Sequence, residues 1–130
     1  MIIIKEVDPV ITLPDFSDWE FDCKCCCGLN NMQALFLWKL QYCRTEAGVV
    51  FDINSGTRCP SYNASDKIKG KPTSDHLTGQ GADIATPTSR HRFKILEAAF
   101  RAGFRRMGIY KSFIHLGDNP RNTEGVTWYG

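Results

Sequence analysis

Apolar residues after Asn30 recur at spacings of three and four, through Met32, Leu35, Phe36, Leu40 and Cys43, and Gly48 follows as a stop signal. This pattern predicts a helix over 31–46. A second amphipathic run, Phe93, Ile95, Leu96, Ala99 and Phe100, predicts a helix from Thr88 or Ser89 to about Ala102, closed by Gly103. Between the two, "VVFDI" (Val49 to Ile53) is β-branched and aromatic and runs into "NSG", which reads as a strand and turn. "GADIA" reads as another short strand, and "RRMGIY" and "FIHL", separated by Lys111 and Ser112, as a hairpin. Residues 60–73 are polar and broken by Gly and Pro, a loop with at most a helical turn after Pro60. Residues 1–20, rich in Pro, Asp and aromatics, read as an extended strap laid over the domain. Two principal helices and at least four short strands, the last two sequential, predict an α+β fold with a mainly antiparallel sheet.

Length and composition narrow the functional classes. At 130 residues the chain is read as one domain, 1–130. Its 42% hydrophobic and 23% charged residues are those of a globular protein with a packed core. A formal charge of +2 is too small to point to nucleic acid, despite local basic patches at Lys67, Lys69, Lys71, Arg101, Arg105 and Arg106. No apolar run approaches the ~20 residues that span a bilayer, so no membrane insertion is expected. "MIIIKEVDPV" lacks the basic leader and apolar core of a secretory signal, and synthesis in the cytoplasm is expected.

Candidate chemistry is confined to few residues. Of the three histidines, His91 sits between Arg90 and Arg92 at the start of the second helix and reads as a solvated residue. His115 lies in "SFIHLGD", where strand alternation sets Phe113 and His115 on one face and Ile114 and Leu116 on the other, so its imidazole could point into a pocket. His76 and Asp83 stand seven apart in "SDHLTGQGADI", with Gly79 and Gly81 to turn the backbone between them. Two neutral imidazoles and one carboxylate make a three-ligand zinc site with a fourth position open, the catalytic rather than the structural arrangement. Such an ion polarises a carbonyl and lowers the pKa of water to about 7.

At these residues the chain resembles the zinc D-Ala-D-Ala carboxypeptidase family, which includes phage L-alanyl-D-glutamate endopeptidases and shares its fold with the hedgehog signalling domain. Ser74, His76, Gly79 and Asp83 match its S-x-H-x-x-G-x-A-x-D segment, and "INSGTRCPSYN" is similar to its SGYRCPxxN segment through Ser55, Gly56, Arg58, Cys59, Pro60 and Asn63. "GIYKSFIHLGD" resembles its closing strand pair, and "FDCKCCCG" its FxCxCGCG lead-in. The likeness runs from Phe21 to Asp118. It implies that His76, Asp83 and His115 bind Zn2+, and that Arg58 stabilises an oxyanion or anchors a substrate carboxylate. It further implies a hydrolase acting on the peptide of bacterial cell wall, whether carboxypeptidase or endopeptidase, in a monomer of phage or prophage origin. Such an enzyme would reach the wall after release from the cytoplasm or as part of a virion. The alternative is a module of the same fold that binds zinc without catalysis.

The sequence departs from the family pattern in three places. Gly81 stands where alanine is usual, a change expected to leave the loop intact. Ser112 occupies the position, three before the final histidine, where many members carry the acid that serves as general base. The H-x-D subgroup places an aspartate two residues after that histidine, where this chain has Gly117 and then Asp118; a one-residue insertion would let Asp118 act as the base. Cys23, Cys25, Cys26 and Cys27 are expected to be free thiols or to form one disulfide, since C-x-C-C-C does not match paired structural zinc ligands; a second metal shared with Cys43 or Cys59 is the alternative.

Overall fold

The computed structural model describes residues 1–130. Strands β1 (Ile2–Ile4) and β2 (Ile11–Leu13) form an antiparallel hairpin, followed by a 3-10 turn over Asp18–Phe21. Helix α1 (Ala34–Ala47) precedes β3 (Ile53–Ser55), the one-turn helix α2 (Pro60–Asn63), and a 3-10 turn over Asp75–Thr78. Then come β4 (Gly81–Ala85), α3 (Ser89–Ala102), β5 (Arg106–Ile109), β6 (Phe113–Gly117) and β7 (Val126–Tyr129). The five-stranded sheet runs β3-β4-β6-β5-β7, antiparallel except for the β5–β7 pair. The fold is α+β with antiparallel sheets dominant, as the apolar pattern predicts.

Local chemistry accounts for the boundaries. Thr88 caps α3 by accepting the His91 N–H at 3.1 Å, and Gly103, at φ 85°, closes the helix in the left-handed region. Gly48, at φ 66°, ends α1 in the same way. Pro60 opens α2 at the position where its missing N–H costs nothing. The strand expected over Val49 to Ile53 begins only at Ile53, where pairing with Ile84 of β4 starts, although buried and exposed residues already alternate through Val50, Phe51 and Asp52. The N-terminal strap is a hairpin, with Ile2 and Leu13 buried against α1.

One face of the large sheet packs on α1 and α3. Ala82 and Ile84 of β4, Met107 of β5 and Ile114 and Leu116 of β6 are buried there with Phe36, Leu40, Ile95 and Ala99. Strand alternation therefore turns Asp83 and His115 to the opposite face, where the site lies. No helix is long and apolar enough to cross a membrane.

Candidate metal centre

Register brings the first two ligands together. Asp83 of β4 stands directly opposite His115 of β6, and the His115 Nδ1 lies 2.9 Å from Asp83 Oδ1. His76 arrives from the 3-10 turn that leads into β4. Ser74 opens that turn by accepting the His76 N–H at 3.2 Å, and Gly79 ends it at φ 71°; a Cβ on Gly79 would lie 2.0 Å from the Asn31 carbonyl oxygen. His76 Nε2 lies 3.2 Å from the same Asp83 Oδ1. All three side chains are buried.

The donor set fits zinc. At ligand bonds of about 2.0–2.1 Å, neighbouring donors on a tetrahedral ion stand ~3.3 Å apart, close to the 2.9 and 3.2 Å observed, and one atom from each of the three residues falls within 4.8 Å of the others. Tautomers are fixed by what surrounds the rings. His76 Nδ1 donates to the Gly56 carbonyl at 2.7 Å, leaving Nε2 for a metal. His115 Nε2 faces Asp75 Oδ2 at 2.8 Å, leaving Nδ1.

Arg58 reaches the site from the loop after β3. Its Nη2 donates to Asp83 Oδ2 at 3.1 Å, its Nε to Ser55 Oγ at 3.1 Å and its Nη1 to Asn63 Oδ1 at 3.3 Å. Three of the five guanidinium N–H groups are thus committed and the rest are free to meet the cleft. Ser55 and Asn63 hold this arginine rather than any reacting group.

Asp75, in the "SDH" triplet, is a site residue that the sequence reading passes over. It is 2% exposed and accepts from His115, from Asn122 Nδ2 at 2.9 Å and from Arg106 Nε at 3.4 Å. Its partners His115, Asn122 and Arg106 come from distant stretches of the chain, so no local signal marks it. A Cβ on Gly117 would stand 2.0 Å from Asp75 Oδ2 and 2.9 Å from His115 Nε2. The Asp75 carboxylate thus fills the space that a side chain at position 117 would take. Gly81 belongs to the same arrangement: a Cβ there would meet Asp75 Cβ at 2.7 Å and the His76 nitrogen at 3.0 Å, so alanine is not a free exchange for it.

Asp118 is not brought to the site. The β4–β6 register continues through Gly81 and Gly117 without a bulge, and the Asp118 N–H donates onward to the Gln80 carbonyl at 2.8 Å. No insertion shifts the strand, and an odd offset of three residues from His115 turns Asp118 to the other face. Its carboxylate pairs there with Lys39 Nζ of α1 at 3.3 Å. His91 is half-buried and held to the Val50 carbonyl at 2.7 Å, away from the centre.

Charge follows from this packing. Burial pushes the Asp83 carboxyl up, but the His115 and His76 imidazoles packed against it outweigh that and hold it well below the usual carboxylate range. Burial likewise opposes ionisation of Asp75, yet the bonds from His115 and Asn122 hold it below its ordinary value. Burial draws His76 down, and the two aspartates overcome burial at His115 and draw it up. A cleft of about 810 Å³ opens over the centre, lined by Arg58, Lys69, Lys71 and Arg106 on its cationic sides and by Tyr110, Phe113, Trp128 and Tyr129.

Residues 14–117 match the model of the Peptidase M15 family. The chain belongs to that family. Its zinc metallopeptidase chemistry agrees with a His76–Asp83–His115 donor set, and the matched span holds all three of those residues together with Arg58 and Asp75. The Peptidase M15 match ends at Gly117, so Asn122, Trp128 and Tyr129, which line the cleft, lie beyond it. No curated protein gives a significant match to the chain.

Proposed function

We propose that this Peptidase M15 chain hydrolyses an amide bond in the peptide moiety of bacterial peptidoglycan. The observation that carries the reading is the metal triad at the floor of a cleft whose rim holds Lys69, Lys71, Arg58 and Arg106, cations suited to the free carboxylates of cell-wall peptides. Zinc held by His76 Nε2, Asp83 and His115 Nδ1 supplies Lewis acidity toward the scissile carbonyl and toward water. The chain does the rest. Gly56 and Asp75 hold protons on the far nitrogens of the two imidazoles, keeping the metal-facing nitrogens unprotonated. Arg58 fixes Asp83 through Oδ2 and turns its remaining N–H groups to the developing oxyanion or to a substrate carboxylate. Asp75 is the one cleft-lining carboxylate outside the triad, and it orients His115 by accepting from Nε2, on the side of the ring away from the metal-facing Nδ1. Tyr110 and Phe113, stacked at 4.4 Å between ring centres, with Trp128 bonded to the Tyr110 hydroxyl at 2.9 Å, form a wall against which a peptide lies. Release from a host by a phage, as an endolysin-like enzyme, is the setting we favour from the sequence resemblance.

A second reading, a zinc-containing module without catalysis, draws on the commitment of both cleft carboxylates to hydrogen bonds. Incubation of zinc-loaded protein with purified peptidoglycan separates the two. New amino termini, located by mass analysis of the released peptides, are the expected result and identify the bond. No release across the near-neutral range with zinc bound overturns the peptidase reading.

A further inference from the structure

Outside the cleft, the fold gathers four of the six cysteines at one point. Cys23, Cys25 and Cys27 come from the lead-in that follows the Asp18–Phe21 turn, and Cys59 caps α2. Cys23 Sγ is 3.5 Å from Cys25 Sγ, Cys25 Sγ is 3.6 Å from Cys59 Sγ, and all four sulfurs lie within 4.8 Å of one another. A zinc ion bound by four thiolates at ~2.3 Å sets its sulfurs about 3.8 Å apart. The observed spacing therefore encloses a volume of the right size, from four directions that no pair of disulfides requires.

The backbone is shaped for this arrangement. Cys26, at φ 69°, and Gly28, at φ 80°, reverse the chain so that Cys25 and Cys27 contribute while Cys26 does not. Cys43 is excluded as well, buried in the core beneath α1. Backbone N–H groups already point at the sulfurs: Cys59 N donates to Cys23 Sγ at 3.3 Å and Tyr62 N to Cys59 Sγ at 3.4 Å, polar support of the kind that steadies metal-bound thiolate. All-sulfur tetrahedral sets select zinc or iron, and a closed set of four with no open position is structural.

We propose that Cys23, Cys25, Cys27 and Cys59 hold a second, structural zinc ion. It ties the lead-in to the loop that carries Arg58, where the Thr57 N–H already bonds the Phe21 carbonyl at 2.9 Å, and so fixes the guanidinium from outside the cleft. The reading is independent of catalysis.

The test is metal content of the full chain purified under reducing conditions, by elemental analysis. About two zinc ions per chain are expected in the unaltered protein and in Cys26→Ser, and about one in Cys27→Ser and in His76→Ala. Cobalt-substituted His76→Ala should show a sulfur-to-metal charge-transfer band that cobalt-substituted Cys27→Ser lacks. Should Cys27→Ser fail to fold, the unaltered protein still decides. Cys25 and Cys27 are exposed, so modification by a thiol reagent that speeds up on addition of a chelator is expected. One zinc per chain, iron in place of zinc, or modification of Cys25 and Cys27 that a chelator does not speed up would each overturn the proposal.

Discussion

Asp75 offers the sharpest test of how the centre is built. Replacing it by alanine removes the acceptor from His115 Nε2 and leaves the Arg106 guanidinium, only 15% exposed, without its carboxylate. Loss of a carboxylate that orients a metal-binding histidine typically lowers metal affinity 10–100-fold, about 1.4–2.7 kcal/mol. Removing one partner of a buried charge pair also costs ~3 kcal/mol of folding stability. Gly117→Asp alone should be worse than neutral, since the new Cβ would stand 2.0 Å from Asp75 Oδ2. Combining it with Asp75→Ala does not restore the acceptor, because the Cβ at position 117 would still crowd His115 Nε2 at 2.9 Å. Asp75→Asn is the conservative control: it keeps an acceptor oxygen for His115 Nε2 without the charge, and should bind zinc more tightly than Asp75→Ala. Competition against a fluorescent chelator reads the affinities, and thermal unfolding of the metal-free proteins reads the stabilities. If Asp75→Ala binds zinc within twofold of the unaltered chain, or Asp75→Asn binds no better than Asp75→Ala, the carboxylate does not orient His115.

Single substitution of His76, Asp83 or His115 by alanine should abolish peptidoglycan cleavage and remove the zinc of the cleft, read by elemental analysis alongside activity. Arg58→Lys cannot reproduce the three-way fork to Ser55, Asn63 and Asp83, and should lower kcat/KM by ~10²-fold with the protein still folded by circular dichroism. Asp118→Asn breaks only the partly exposed pair with Lys39, so stability should change by under about 1 kcal/mol and turnover should stay unchanged in the same assay. Zinc binding should be pH-dependent in a definite direction. The two aspartates raise the His115 pKa and so favour a proton that the metal must displace, and affinity should rise as pH climbs through that raised pKa and level above it, with proton release visible as a buffer-dependent heat in calorimetry.

The metal triad was legible in the sequence because its parts are written as local rules. A turn with two glycines delivers His76 beside Asp83, and strand alternation sends His115 to the face opposite Ile114 and Leu116. Asp118 misled because a one-residue slip in a strand is invisible in sequence yet reverses the face on which a side chain appears. Asp75 was hidden for a different reason: its partners, His115, Arg106 and Asn122, are 31 to 47 residues away, and only the folded chain reveals that Gly117 vacates its place. β7 was missed as well. Its "VTWY" is short, and it is held by parallel pairing to β5, a contact between segments separated by β6.

That last strand divides labour within the molecule. Everything that would hold the metal or polarise a carbonyl lies in the span common to the family, whereas Trp128 sits on the far edge of the sheet, in a space that Gly108 leaves open beneath its indole. Part of the cleft wall is thus encoded beyond the stretch that carries the metal donors. A change in the final dozen residues would reshape that wall while leaving the donor set as it is.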